Sequence, residues 1–110
     1  MSEEETDETF VRELRRRAGR WDARVEGIDG DHIALDISEG GLFLAGTPQL
    51  PPGDTCIVVL QLPSGPLELR CIVKWCRPVA LSVAVREGMG LEFIELSEDD
   101  RDRLVDLVET

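Results

Sequence analysis

Two short segments hold the residues whose types and spacing suit chemistry. The first is an arginine run: Arg12, Arg15, Arg16, Arg17, Arg20 and Arg24 fall within thirteen residues, opposed there only by Glu13 and Asp22, for a local charge of +4. Guanidinium groups fork to paired anionic oxygens, so such a cluster suits a small anionic ligand held at one place. The second is Asp36-Ile37-Ser38-Glu39-Gly40-Gly41, a D-x-S-x-x-G pattern. An ionised Asp36 only accepts hydrogen bonds, and Ser38 can bond a ligand or brace a turn. Gly40 and Gly41 let backbone amides approach a ligand with no Cβ in the way. Taken singly, an arginine run is most often a solvated face, and an Asp-Ser-Gly turn is most often a hairpin corner.

Catalytic patterns do not accompany them. The single histidine, His32, sits in a strand beside Asp31, and neither a G-x-S-x-G elbow nor a phosphate-cradling P-loop occurs, so the chain reads as a non-enzyme. Cys56, Cys71 and Cys76 are odd in number and lack C-x-x-C spacing, which points to small apolar filler in a reducing compartment rather than metal ligands. Cys71 and Cys76, five apart in one strand, are expected on opposite faces.

These segments need elements to position them. Residues 1–8 are acidic and read as a disordered lead-in, and Thr9 to Ala18 reads as a short helix with Phe10, Val11 and Leu14 on one side, ended by Gly19. Alternation then takes over. Trp21, Ala23 and Val25 open a first strand, placing Arg16 and Arg20 ahead of it, and Asp29-Gly30-Asp31 turns into a strand over His32 to Ile37. Leu42–Ala45, Cys56–Leu62, Leu67–Trp75, Val79–Val85 and Met89–Leu96 supply further strands, with Trp75 expected to point into the core beside Val73, Cys71 and Leu69. Ser97, followed by Glu98, Asp99 and Asp100, starts a C-terminal helix over 97–109. Six or seven short antiparallel strands and one amphipathic helix fit a small closed barrel with the helix on an open end.

With 110 residues, 42% hydrophobic and 32% charged, the chain holds one core and one domain over 9–110. No apolar run approaches the ~20 residues of a membrane span, and the acidic start is unlike a signal peptide, so a cytoplasmic protein is expected. The net charge is −11, which leaves −15 outside the arginine run and opposes nucleic acid or an anionic membrane as partner.

Together and in this order, Arg15-Arg16-Arg17-Ala18-Gly19-Arg20 and the D-x-S-x-x-G segment resemble the PilZ domain, the family of cyclic di-GMP receptors. Gly41-Leu42-Phe43-Leu44, Leu62-Pro63-x-Gly65, Val73-Lys74-Trp75 and Gly88-Met89-Gly90-Leu91-Glu92-Phe93 extend the resemblance, which is strongest to the paralogous single-domain variants of gliding and predatory bacteria. It implies a six-stranded antiparallel barrel with a C-terminal helix. It implies no cofactor beyond the ligand cyclic di-GMP, bound by Arg15, Arg16, Arg20, Asp36, Ser38, Gly40 and Gly41. Arg16 and Arg20 would fork to phosphate or to guanine O6 and N7, and Asp36 would accept from guanine N1–H and N2–H. An arginine at position 15 goes, in the family, with two intercalated nucleotides. Three R-x-x-x-R frames exist, Arg12/Arg16, Arg16/Arg20 and Arg20/Arg24; Arg16/Arg20 leaves fifteen residues before Asp36 and keeps both arginines outside the first strand. The implied function is a receptor, a monomer or weak dimer, that signals to an unidentified protein partner in motility or surface behaviour. The alternative is a PilZ-fold adaptor that binds its partner without nucleotide.

Overall fold

The computed structural model describes residues 16–109. The strands are β1 (Arg16–Val25), β2 (Asp31–Ser38), β3 (Gly41–Thr47), β4 (Thr55–Leu62), β5 (Gly65–Arg77) and β6 (Gly88–Phe93), followed by helix α1 (Glu98–Glu109). All neighbours are antiparallel, and the sheet closes in the order β1-β2-β3-β6-β5-β4. This is the expected six-stranded barrel with one C-terminal helix.

Period-2 alternation builds the core. Leu67, Leu69, Cys71 and Val73 of β5 are buried beside Val58 and Leu60 of β4, Leu42 and Leu44 of β3, and Met89 and Leu91 of β6. Helix α1 packs against β1 and β2 and adds Leu104 and Val108 to the same cluster. Its start is capped as expected, with the Asp100 amide donating to Ser97 Oγ at 3.1 Å. Its last turn has no basic residue of its own, and Arg17 of β1 donates instead to the Leu107 carbonyl at 3.3 Å.

Three expectations are corrected. Residues 16–18 are strand rather than helix, so Arg16 and Arg20 lie within β1 and not ahead of it; Arg16 and Arg17 pair with Ser38 and Ile37, and tertiary pairing overrides a marginal local helix. The remainder of that helix reading, and the lead-in, lie outside the described residues. Residues 78–87 form a loop rather than a strand. Pro78 has no N–H to donate, and six strands already close the barrel, so no edge remains for a seventh.

The third correction concerns Trp75. The β5–β6 register shifts between Val73 and Trp75, which breaks the alternation. Trp75 is 44% exposed on the outer face, whereas Cys76, expected outside, packs against the core on the same side as Cys71.

Candidate functional site

Two bulges shape one groove. The β1–β2 register shifts between Ala18 and Trp21, and the β2–β3 register shifts between Ala34 and Asp36. On the near side of the first shift Arg16 pairs with Ser38 and Ala18 with Asp36, making Arg16 and Asp36 diagonal neighbours. Arg16 Nη1 lies 3.0 Å from Asp36 Oδ1, with both side chains partly open to solvent. That contact is a charge pair without hydrogen-bond alignment, and Oδ1 itself is shielded from water with no aligned donor. The carboxylate thus keeps acceptor capacity at the groove wall.

Ser38 braces the turn between β2 and β3. Its Oγ accepts from the amides of Gly40 (3.2 Å) and Gly41 (3.3 Å) and donates to the Gly41 carbonyl at 3.4 Å. The two glycines differ in role. A Cβ on Gly41 would sit 2.1 Å from the Leu91 carbonyl oxygen, so that glycine lets β3 approach β6. A Cβ on Gly40 would meet nothing nearer than Ser38 Oγ at 4.0 Å, so the turn is open on that side.

The groove has a volume of about 920 Å³ and is walled by Arg16, Asp36, Ser38, Gly40 and Gly41 together with β5, the β5–β6 loop and Arg101 of α1. Of the residues singled out from the sequence, these five are brought together. Arg20 lies at the β1 bulge, exposed, and is not on the groove wall; Arg24 pairs with Val59 on the β4 side. Arg15 lies outside the described residues.

Sequence reasoning missed an aromatic and cationic floor. The rings of Phe43 and Trp75 stack with centroids 5.6 Å apart and planes at 20°. The Arg77 guanidinium lies 5.1 Å from the Trp75 ring centroid and 5.4 Å from that of Phe43, while its Nη1 donates to the Arg86 carbonyl at 2.9 Å. Gly90 makes room for this layer, since a Cβ there would fall 2.2 Å from the Trp75 indole. Their signal was in the sequence as Phe43, Trp75, Arg77 and Gly90, but reading it required the bulge that turns Trp75 outward.

Other candidates are structural. His32 is buried with Nε2 donating to the Pro48 carbonyl at 2.9 Å. Burial, and then the neighbouring Cys56, pushes the Cys71 thiol up from 9.0 to about 12, which removes it from nucleophilic chemistry near neutrality. Among the described residues no group of three or more His, Cys, Asp or Glu side chains is placed to hold a metal, and no helix is long and apolar enough to cross a membrane.

Comparison with known proteins agrees with this fold. The family model described as "PilZ domain" matches residues 12–110. Over 62 residues, 54% of this chain, the sequence is 42% identical to the serine/threonine-protein kinase Pkn1 of Myxococcus xanthus, of which it covers 9%. The fold matches that of the Bacillus subtilis inhibitor of motility (MotI/DgrA) with a TM-score of 0.72 and 18% identity, covering 86% of this chain and 47% of that one. The chain therefore spans less than half the length of either relative. With the family model matched from the arginine run through the C-terminal helix, the chain belongs to the PilZ domain family, a family of cyclic di-GMP receptor domains.

Proposed function

We propose that this chain is a cyclic di-GMP receptor that passes the nucleotide signal to a partner protein, in motility or a related surface behaviour. The observation that carries the reading is the convergence, in one groove, of Arg16, Asp36 and the Ser38-braced turn with the Phe43–Trp75–Arg77 layer. The chemistry of the ligand matches these groups one by one. Its phosphodiesters take guanidinium forks, its guanines present N1–H and N2–H donors to Asp36, and their flat faces stack on a ring or a guanidinium. Arg16 is the first phosphate or guanine contact. Arg20, the second arginine of the R-x-x-x-R motif and exposed on the same strand, and Arg15 are assigned to the ligand by the family resemblance, Arg15 to a second, intercalated nucleotide. The link to motility rests on the fold shared with a protein titled an inhibitor of motility.

Isothermal titration with cyclic di-GMP at ~150 mM salt, where loose electrostatic association is screened, tests the reading. Saturable binding that Arg16→Ala and Asp36→Ala each weaken supports it. Absence of binding by the wild-type chain leaves the nucleotide-independent adaptor in its place.

A further inference from the structure

Helix α1 carries its cations against its dipole. Cations stabilise the last turn of a helix and disfavour the first, yet the last turn of α1 has no basic residue and Arg101 stands at the end of the first. The other arginine of the helix has a role within the protein. Arg103 donates to Ser64 Oγ and to the carbonyls of Gly65 and Pro66, which ties α1 to the β4–β5 turn. Arg101 makes no such contact; it is exposed, and it walls the groove.

The other cations of the groove sharpen the contrast. Five line it: Arg16, Lys74, Arg77, Arg86 and Arg101. Arg16 lies 3.0 Å from Asp36, Lys74 3.6 Å from Glu92 and Arg86 3.3 Å from Glu87. Arg77 packs over the Trp75 and Phe43 rings and donates to the Arg86 carbonyl. Among the described residues, Arg101 is the one groove cation whose side chain has no carboxylate, carbonyl or ring as partner. All five of its N–H donors are therefore open to a bound anion.

Cyclic di-GMP has two phosphodiesters, and Arg16 answers one of them. Resting on the receptor reading, we infer that Arg101 is a further ligand-binding residue, which forks to the second phosphodiester and so ties α1 to the nucleotide. No other residue of α1 walls the groove. The helix is otherwise held by the buried Leu104 and Val108, by Arg103, and by Arg17 at the Leu107 carbonyl. The Arg101 contact adds a restraint on the first turn that exists only in the bound state. A partner that reads the first turn then distinguishes the two states.

Isothermal titration with cyclic di-GMP, urea unfolding of the free protein and hydrogen exchange, all on the full chain, test the inference. Arg101→Ala is expected to weaken binding about tenfold, and Arg101→Lys, which keeps the charge but loses the fork, by less. The urea midpoint of free Arg101→Ala should be no lower than that of wild type, because the substitution removes a cation from the positive end of the helix. Saturating nucleotide should slow exchange of the amides of Arg101, Asp102 and Arg103 about tenfold in wild type and leave them unchanged in Arg101→Ala. Equal Kd for wild type and Arg101→Ala overturns the inference and leaves the receptor reading standing. A weaker Kd accompanied by a lower urea midpoint also overturns it, since Arg101 would then act through stability. So does equal slowing of the α1 amides in both proteins. Absence of binding by wild type removes the receptor reading and the inference together, and that outcome is read on wild type alone.

Discussion

Arg16 and Asp36 meet across a strand pair with both side chains half open to water, so their attraction stabilises the free protein by no more than about 1 kcal/mol. A ligand can therefore separate them cheaply and take both. Replacing Arg16 by Ala is expected to weaken cyclic di-GMP by about 1–3 kcal/mol, one to two decades in Kd, while leaving the urea midpoint nearly unchanged. Ser38 behaves in the opposite way. Its hydroxyl is the side-chain acceptor for two turn amides, so Ser38→Ala is expected to cost about 1–2 kcal/mol of stability, read as a lower urea midpoint, and to loosen the turn. Gly90→Val should push the Trp75 indole off its seat, shifting tryptophan emission and lowering affinity together. The sequence makes Arg16, Asp36 and Ser38 legible because their chemistry is written in residue type and spacing. It leaves Trp75 and Arg77 hidden, because strict alternation sends Trp75 inward, and only a one-residue register shift brings it out to stack on Phe43.

Strands announce themselves by alternation and turn residues, and five of the six are found within a few residues of where the pattern puts them. The exception is β1, where the arginines carry no apolar alternation. Arg16 and Arg17 are strand because Ser38 and Ile37 offer ladder partners, a tertiary fact that local propensity does not contain. Alternation also misleads over 79–85, where Val-Ala-Leu-Ser-Val-Ala-Val has strand rhythm but the closed barrel has no edge left for it. The helix is the most legible element, since its cap chemistry is local. Ser97→Ala is expected to remove the Asp100 amide's acceptor and cost about 1 kcal/mol in urea unfolding. Arg17→Ala should fray the other end, because it deletes the side-chain donor to the Leu107 carbonyl, and hydrogen exchange confined to the last turn of α1 would show it.

At the scale of the whole molecule, two linkages connect the site and core to global stability. Cys71 is buried with its thiol pushed up from 9.0 to about 12, so the folded state holds this proton more tightly than the unfolded chain does. That contribution is intact below pH 9.0 and is lost as pH climbs from there through about 12. Alkaline denaturation of wild type is therefore expected to begin above pH 9, with a shallower decline in Cys71→Ala measured against its own neutral-pH stability. The second linkage is through the groove, whose wall draws on β1, the β2–β3 turn, β5, the β5–β6 loop and α1. A ligand that fills it contacts elements from both sides of the barrel and the helix, and local opening of any of them then exposes the bound nucleotide. At a hundred times Kd, one cyclic di-GMP per chain should raise the unfolding free energy by about 2.7 kcal/mol. The same measurement on Arg16→Ala at equal nucleotide concentration should show a smaller rise, reduced by about 1.4 kcal/mol for each tenfold weakening of Kd. Hydrogen exchange should slow along all the walling elements and not at the turn alone. Stabilisation of the Ser38–Gly41 turn without any change in α1 would mean that Arg101 stands at the groove without holding the ligand.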